Sequence, residues 1–438
     1  MSPTAPSTPS DPVIASAARD VNAAPPRPVS EPRRPAPPDR PALPGTPSAD
    51  PDYAVAVVAG RAGIAPYVDE WEELASLAAE PNPFYEPWML LPAVEAFASG
   101  DEPEFVLVFG YDDHPRPTRR ILCGLFPLAR RRGVGGVPIR HRALWTHDYN
   151  FLSTPLVRRG REAACLDAFL DALARDRGPA ILKLGQVAAD GPVHAHTLDA
   201  INRRGSLAVT SVRASRAFLR PREGVDAETY LRAAVAGKAL KEWRRQGARL
   251  AETGPVEYAA LARGEPLTPW LDEFVRIEAT GWKGRGGTAF ACRAADRRWL
   301  ETVAAAAHAS GRLELLALRV AGRTIAMKLN FLAADGAFTF KIAFDEAYAR
   351  FSPGVLLELE NVRRAHGHAT VRWMDSCAIP EHPMANRLWT ERRAIEDLYV
   401  ATRGFFAGLA VASIPLGRWA RGLFRRKARP DAAKERAT

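Results

Sequence analysis

The segment from residue 341 to residue 357 has the residue types of an anion-binding helix start. It reads KIAFDEAYARFSPGVLL: an alternating strand-like stretch, a charged turn, a Ser-Pro-Gly step and an apolar helical stretch. The Ser can cap a helix, the Pro suits its first turn, and the Gly lets an anion come close. The first turn also offers unpaired N–H groups and the positive end of the helix dipole. A plain capped helix is the alternative. The predicted phosphate-binding positions are Ser352, Pro353, Gly354 and Val355, with Lys341 and Arg350 as nearby cations.

Three side chains near this segment are candidates for acid–base chemistry. Asp345 follows the predicted strand directly, and Asp375 ends the next predicted strand. Two carboxylates beside one cleft can deprotonate or orient an ammonium group, and Tyr348 can supply a proton to a leaving group. The alternative is that both Asp residues cap turns, which is common for Asp, and that Tyr348 packs on the helix start.

A glycine-rich cationic stretch, GWKGRGG, occupies residues 281–287. A mobile loop with Lys283 and Arg285 could bind an anionic substrate, such as a sugar nucleotide or an acidic glycan. A C-capping loop with solvated charges is the alternative. His147 and Asp148 are adjacent, so on a strand they would point to opposite faces and could not form a dyad.

The cysteines and histidines predict no metal site. The four cysteines lie far apart without a C-x-x-C pair, which argues against a zinc ribbon or a disulfide framework and suits a reducing cytosol. We interpret Cys377 as a small buried core thiol. The cysteines are Cys123, Cys165, Cys292 and Cys377.

Composition separates the two ends of the chain from its body. Residues 1–52 hold 15 of the 37 prolines and no aromatic residue before the Tyr at position 53, which predicts a disordered segment.

The net charge is +10, and residues 403–438 carry +7 of it, from nine basic and two acidic residues. The body is therefore close to neutral, which argues against a DNA-binding face. The tail mixes apolar and basic residues, which fits either an interfacial helix on an anionic membrane or a helix packed on its own domain.

The remaining pattern predicts an α+β fold built twice. Residues 312–320, 323–333 and 337–344 read as three strands joined by tight glycine-containing turns, so the sheet is mostly antiparallel. A helix follows at 354–366 and a strand at 370–375. Residues 53–214 give a rougher version of the order found in residues 215–402, and the helix within 270–287 has apolar residues at helical spacing.

Several motifs together resemble a known family. NPFYEPWMLLPAV, GWKGRGGTAF, KIAFDEAYARFSPGVLL and MDSCAIPEHPMANRLW are similar to GNAT-related proteins associated with bacterial cellulose and exopolysaccharide biosynthesis, which are themselves related to two-domain Fem-type aminoacyltransferases. The resemblance implies tandem GNAT-like domains, each a mixed, mostly antiparallel sheet flanked by helices. It implies a degenerate, acceptor-binding domain at 53–214, a donor-binding domain at 215–402 and a basic amphipathic tail at 403–438.

The resemblance also implies an activity: transfer of an acyl group, acetyl in the first instance, from acetyl-CoA to an amine or hydroxyl. The implied acceptor is a small molecule or glycan precursor of cell-envelope polysaccharide biosynthesis, and the implied location is cytoplasmic, with peripheral contact to the inner membrane through the tail. The segment departs from the usual GNAT phosphate loop, because Ala349 stands at the basic position and Arg350 is one place out of register. Aminoacyl transfer from aminoacyl-tRNA therefore stays open, as does a non-catalytic accessory role beside a polysaccharide synthase.

Overall fold

The computed structural model describes residues 46–47, 52–112, 119–134 and 137–427. Almost all of the predicted disordered segment, and the last part of the predicted tail, lie outside these residues.

The strands form one sheet whose order is β1-β2-β3-β4-β5-β7-β14-β8-β13-β12-β11-β10-β9, with β6 paired to β4. The strands are β1 (Thr46–Pro47), β2 (Ala54–Ala59), β3 (Glu104–Tyr111), β4 (Arg120–Val134), β5 (Val137–Leu144), β6 (Leu156–Val157), β7 (Ile181–Ala188), β8 (Ala208–Leu219), β9 (Val256–Ala260), β10 (Leu313–Val320), β11 (Arg323–Ala333), β12 (Gly336–Phe344), β13 (Trp373–Asp375) and β14 (Glu391–Ala401).

The helices cover both faces of this sheet. They are α1 (Gly60–Ile64), α2 (Val68–Ser76), α3 (Pro87–Phe97), α4 (Glu162–Arg175), α5 (Pro192–Arg203), α6 (Ala227–Ala234), α7 (Gly237–Ala251), α8 (Leu267–Thr280), α9 (Trp282–Arg285), α10 (Ala294–Ala309), α11 (Pro353–Gly367), α12 (Pro383–Leu388) and α13 (Phe405–Lys427). Short 3₁₀ helices cover Ala65–Tyr67, Pro83–Tyr85, Phe290–Cys292 and Glu346–Phe351.

The strand order repeats, which confirms the predicted tandem α+β fold. In the first half, β2, β3, β4 and β5 are antiparallel neighbours, and β7 then pairs with β5 in parallel. In the second half, β9, β10, β11 and β12 are antiparallel neighbours, and β13 pairs with β12 in parallel. Each half is therefore a mixed sheet with one parallel step.

Two strands cross between the halves and join them. β8, which follows the first half in sequence, pairs with β13 of the second half. β14, which ends the second half, pairs with β7 of the first half, and β8 and β14 pair with each other. The two halves thus share one continuous sheet, and the predicted domain boundaries stay predictions.

Local sequence patterns predicted the strands β10–β12 and the helix α8 of the second half correctly. The predicted hairpins correspond to β10, β11 and β12, and the β10–β11 turn has positive φ at both Ala321 (48°) and Gly322 (77°). In α8 the apolar positions that predicted it are all buried: Leu271, Phe274, Val275 and Ile277.

Two of the strands longer than two residues were missed, and the stretch 226–251 is divided. β5 lies within a stretch that the sequence left irregular, and β8 was not predicted. Residues 226–251, which are rich in Arg and Lys, form two helices, α6 and α7, because Val235 has extended backbone angles (φ −109°, ψ 133°). The missed strands lie beside the parallel steps and the crossover, where long-range pairing determines the structure.

Residues 281–287 differ from the predicted mobile loop. Trp282–Arg285 form the short helix α9, whose Trp282 N–H donates to Glu346 Oε1 over 2.7 Å. The Glu346 carboxylate, which follows β12, therefore fixes this glycine-rich stretch. No helix among the described residues has both the length and the apolar character needed to cross a membrane.

Candidate functional site

The two parallel strands β12 and β13 separate after a short contact. They pair only from Gly336 beside Trp373 to Phe338 beside Asp375. Thr339 Oγ1 then donates to the carbonyls of Asp375 (3.2 Å) and Ser376 (2.8 Å), after which β12 continues without this partner. The sheet therefore opens on one side of β12 from residue 339 onward, and this opening is the centre of the candidate site.

β12 is irregular where it opens. Leu329 faces Lys341 and Asn330 faces Thr339, so Phe340 is an extra residue in the ladder. A bulge of this kind leaves backbone groups without ladder partners and redirects the strand. The Phe340 ring packs against Phe331 with centroids 5.1 Å apart, which holds the bulge in a buried aromatic layer.

The helix start after β12 differs from its prediction in two respects. Ser352 has left-handed backbone angles (φ 52°, ψ 51°), and its side chain makes no capping hydrogen bond, so the predicted cap is wrong. An ideal Cβ on Gly354 would lie 3.5 Å from Phe344 and 3.8 Å from Ile342. The missing side chain of Gly354 thus faces strand β12 and permits close helix–strand packing, whereas the prediction placed an anion there.

Most N–H groups of this helix start are already used. The Ser352 N–H donates to Ala349 O, and the Val355 N–H donates to Ser352 O, both over 2.9 Å. Pro353 has no N–H. Of the four predicted positions, Gly354 alone has an N–H that the described part of the chain leaves without a backbone acceptor. Any phosphate contact here therefore depends on this N–H and on side-chain charge.

The predicted residues around the helix start have other contacts. Asp345 Oδ2 accepts from Arg323 over 2.7 Å, and its Oδ1 accepts from the Ala347 N–H over 3.0 Å. Tyr348 is half-buried against the apolar core beneath α11. Arg350 is exposed, with its guanidinium 4.7 Å from the centre of the Phe351 ring. Arg350 is therefore the cation of this loop that can turn toward an anionic ligand.

Asp345 and Asp375 do not flank one cleft. Asp375 lies beside Phe338, and Asp345 comes seven residues after Phe338 along the same strand direction. At about 3.3 Å per residue the two carboxylates are roughly 20 Å apart. The prediction that both act on the same reacting group is thus corrected, while the catalytic role of each stays a prediction.

Asp375 lies in a buried ion cluster. Its Oδ2 accepts from Arg216 over 2.6 Å and from Arg393 over 3.1 Å, and its Oδ1 accepts from the Cys377 N–H over 2.9 Å. Burial alone would raise the pKa of this carboxyl, but Arg216 and Arg393 hold the pKa below its usual value. The Asp375 carboxylate therefore remains charged and hydrogen-bonded to both arginines, so it can hold them in position.

Lys341 and Lys283 share a single carboxylate. The Glu278 side chain is fully buried, and its Oε1 lies 3.0 Å from Lys341 Nζ and 3.5 Å from Lys283 Nζ. Lys283 also donates to the Ile342 carbonyl of β12 over 3.0 Å, and burial lowers the pKa of Lys283. Lys341 faces α8 while the phosphate prediction concerns α11, so the structure brings Lys341 together with Lys283 on the opposite face of β12.

Arg285 belongs to the surface beside the helix start. It donates to both oxygens of Glu346, over 3.0 and 2.8 Å, and remains largely exposed. The two segments predicted to bind different substrates, 281–287 and 345–352, are therefore neighbours. This ion pair is exposed, so it can exchange for an incoming anion at little cost.

A large cleft, missed by the sequence analysis, lies where the halves meet. Its volume is about 860 Å³. Its walls come from β4, β5, β7, β8, β14, the loop after β5 and the loop after β13. Residues that line it include Arg131, His147, Phe151, Lys183, Gln186, Arg216, Cys377, Ile379 and Tyr399. Residues 138–144, PIRHRAL, alternate in polarity as a strand does. This pattern could have predicted β5, which forms one wall of the cleft.

His147 is a half-buried, neutral histidine at the edge of this cleft. Its ring stacks on Phe97 with centroids 5.0 Å apart and also contacts Trp145 and Trp299. The Tyr149 N–H lies 3.4 Å from His147 Nδ1, and burial lowers the pKa of His147 to about 3. The Asp148 side chain is exposed and lies 3.7 Å from Arg293, on a turn instead of the strand assumed in the sequence argument. The thiol of Cys377, also in the cleft wall, has its pKa raised by burial.

Comparisons with known proteins place the second half in a fold family. Residues 237–382 match the family model of the acetyltransferase (GNAT) domain. The chain is similar to the crystal structure of FemX, with a TM-score of 0.50 and 11% identity over 76% of this chain and 95% of that chain. At this identity the similarity shows the fold alone. The second half therefore contains a GNAT-like domain, and the fold of the chain is similar to that of FemX.

Two further solved structures have lower scores. One is a tandem GNAT protein from the clavulanic acid biosynthesis pathway, with a TM-score of 0.42 and 15% identity over 80% of this chain and all of that chain. The other is the C-terminal domain (DUF2156) of a protein named as a lysylphosphatidylglycerol synthetase from Agrobacterium fabrum, with a TM-score of 0.47 and 13% identity over 80% and 95%. No curated protein sequence matches the chain.

Replacing Asp375 should destabilise the protein strongly. Asp375→Ala leaves Arg216 and Arg393 buried without their shared carboxylate. Loss of one partner from a buried ion pair costs about 3–5 kcal/mol in the free energy of unfolding. Urea unfolding measures this loss. Asp375→Asn should lower the free energy of unfolding by a similar amount. The control is Asp272→Ala, which breaks an exposed ion pair with Arg297 and should cost at most about 1 kcal/mol. Similar losses in both variants would contradict a structural role for the cluster.

His147 should make the protein less stable in mild acid. The pKa of His147 is about 3 in the folded chain and about 6.5 in the unfolded chain, so the unfolded chain binds the extra proton. The stabilisation is complete above pH 6.5 and is lost as the pH falls toward 3. Between pH 7 and pH 5 the free energy of unfolding should fall by about 2 kcal/mol more than in His147→Phe. Equal losses in the two proteins, measured by urea unfolding at both pH values, would contradict the neutral state.

Proposed function

We propose that the protein is an acyltransferase that moves an acyl group from acyl-CoA to an amine or hydroxyl of an acceptor held in the cleft between the halves. The observation that carries this proposal is the separation of β12 from β13 at Phe338 and Asp375. The chain that leaves β13 there, residues 377–380, forms one wall of the cleft. A donor lying along the free side of β12 would therefore meet an acceptor in the cleft.

The donor would bind along the second half. The exposed edge of β12 offers backbone groups to an extended ligand, and the bulge at Phe340 marks where the ladder is interrupted. At the far end of this edge, Gly354 N–H and Arg350 would contact the pyrophosphate. The Gly354 backbone lies against Ile342 and Phe344, several residues along β12 from Phe338 beside Asp375, so a long donor could place its phosphates at the helix start and its reactive carbonyl near the opening.

The reaction would be a direct transfer. The acceptor nitrogen or oxygen attacks the thioester carbonyl carbon, the carbon–sulfur bond breaks, and the departing CoA thiolate takes up a proton while the acceptor loses one. The catalytic candidates Asp345, Asp375 and Tyr348 have structural contacts in the described chain. Asp375 would act by holding Arg216, which donates to the Phe151 carbonyl over 2.6 Å in the cleft wall.

The acceptor would be a polar molecule of moderate size. The cleft has room for a sugar or a sugar nucleotide, and charged groups of both signs line it: Arg131, Lys183, Arg216, Asp148 and Asp397. The motif resemblance supports a cell-envelope glycan precursor as the acceptor class. Assignment to cellulose or exopolysaccharide biosynthesis, and a cytoplasmic location, belong to this proposal.

A second candidate function is aminoacyl transfer from aminoacyl-tRNA. The observation that favours it is the helix start, where Ser352 and Val355 have their N–H groups engaged and Pro353 has none. With so few free N–H groups, this helix start would bind a pyrophosphate weakly, as expected for a protein whose donor is not acyl-CoA. A non-catalytic accessory role is favoured by the same observation.

Calorimetry with acetyl-CoA tests the donor. We expect the full chain to bind acetyl-CoA, and Arg350→Glu to raise the Kd at least tenfold, because it replaces an attractive charge beside the phosphates by a repulsive one. The matched control is Arg372→Glu, another exposed arginine, which should leave the Kd unchanged. Absence of binding at millimolar acetyl-CoA would contradict the CoA-dependent proposal. The tRNA-dependent and accessory functions would then remain as the alternatives.

Filling the cleft tests the acceptor side separately. Ala378→Trp adds a large side chain to the cleft wall, so it should lower transfer from acetyl-CoA to amino sugars such as glucosamine at least tenfold while acetyl-CoA affinity stays the same. Release of the CoA thiol measures the transfer. Ala369→Trp, at an exposed position outside the cleft lining, is the control. Equal activity in the two variants would place the acceptor elsewhere.

A further inference from the structure

The helix α13 presents an apolar stripe to solvent. Four large side chains are mostly exposed along it: Phe405 (79%), Leu409 (58%), Leu416 (68%) and Trp419 (66%). Their spacings of four, seven and three residues put them on one side of a helix. Scattered exposed apolar residues are normal, but a continuous stripe of large ones marks a binding surface.

The opposite side of α13 already has a partner within the protein. Val411 and Ile414 are buried against Val134, Ile181 and Tyr399. The stripe is therefore not the face that attaches the helix to its domain. A helix that is apolar on two opposite sides, with one side packed, needs something else to cover the second side.

An arginine groove lies beside this helix. It has a volume of about 570 Å³ and is lined by Arg130, Arg131, Arg132, Arg140, Arg177, Gly178 and Pro179. Arg130 and Arg131 pair with Glu104 and Asp101. Arg132, Arg140 and Arg177 are exposed, and the described residues place no carboxylate within ion-pair distance of them.

The position of two of these arginines is unfavourable without a ligand. Arg132 and Arg140 are directly opposite each other on β4 and β5. Like charges at opposed positions of an antiparallel pair destabilise it. An anionic ligand across the two strands would remove this repulsion, so the groove has the charge complementary to a phosphate-rich surface.

The stripe, the groove and the cleft adjoin one another. Arg403, two residues before the start of α13, donates to the Gly178 carbonyl over 2.5 Å, and Gly178 lines the groove. Arg131 and Arg132 line both the groove and the cleft. Tyr399 lines the cleft and packs beneath α13. Apolar side chains, unpaired cations and the mouth of the cleft therefore belong to one region of the surface.

We propose that the α13 stripe and the arginine groove together bind the surface of an anionic lipid bilayer. Aromatic and aliphatic side chains would enter the headgroup boundary, and Arg132, Arg140 and Arg177 would contact lipid phosphates. The sequence places further basic residues on the last turns of α13, at positions 418, 421 and 425–427. The mouth of the cleft would then lie at the headgroups. This proposal is independent of the acyl donor.

Vesicle co-sedimentation of the full chain tests the proposal. The probes are vesicles of phosphatidylcholine alone and of phosphatidylcholine with phosphatidylglycerol in equal amounts. We expect binding to the mixed vesicles, with at least tenfold weaker binding to phosphatidylcholine alone and weaker binding at high salt. Both Phe405→Ser/Leu409→Ser/Leu416→Ser and Arg132→Glu/Arg140→Glu should weaken binding to the mixed vesicles at least tenfold.

Matched controls separate the surface from general effects. Val57→Ser removes another exposed apolar side chain, and Lys238→Glu/Lys241→Glu reverses two exposed charges on α7; both should bind vesicles like the wild type. Acetyl-CoA affinity should be the same in all these variants, which separates this test from that of the donor. Wild-type binding by either surface variant, or equal binding to both vesicle types, overturns the proposal. A dimer in sedimentation equilibrium that the stripe variant dissociates, without vesicle binding, would assign the stripe to a second copy and also overturn it.

Discussion

The ion cluster around Asp375 is the constraint on which the centre of the sheet depends. Arg216 on β8 and Arg393 on β14 are directly opposite each other in the ladder, which is unfavourable for two like charges. The Asp375 carboxylate at the end of β13 accepts hydrogen bonds from both. Since β8 and β14 are the strands that cross between the halves, one buried carboxylate stabilises the junction. Arg216 also fixes the Phe151 carbonyl, so the same cluster shapes the cleft.

The strand-end position of Asp375 was predictable from the sequence, but its ion-pair partners were not. Its position at a strand end beside an opening was predicted, because strand and turn signals are local. Its partners lie 159 and 18 residues away, and only the pairing of β13, β8 and β14 brings them together. The hairpins of the second half and the buried face of α8 were also predictable, because neighbouring residues in the sequence determine them. β8 was not, since its pairing is decided by residues far along the chain.

The candidate donor site shows a second limit of sequence reasoning. The Ser-Pro-Gly step does begin a helix, but the step does not reveal which way the missing Cβ of Gly354 faces or which N–H groups remain unpaired. Likewise, Lys341 and Lys283 read as available cations, and in the structure both are held by the buried Glu278. A charged residue type indicates chemistry only once its neighbours are known, because a buried charge must be paired.

The two halves have different surfaces built on the same strand order. In the second half the parallel pair β12–β13 opens beside a helix start, and the exposed edge of β12 suits an extended donor. In the first half the parallel pair β5–β7 is shorter still, with Arg142 beside Leu182 and Ala143 beside Lys183, and the wall of the cleft lies beyond it. The crossing of β8 and β14 turns both openings toward the same junction. In the proposed reaction, a donor along β12 would therefore meet an acceptor in the cleft at this junction.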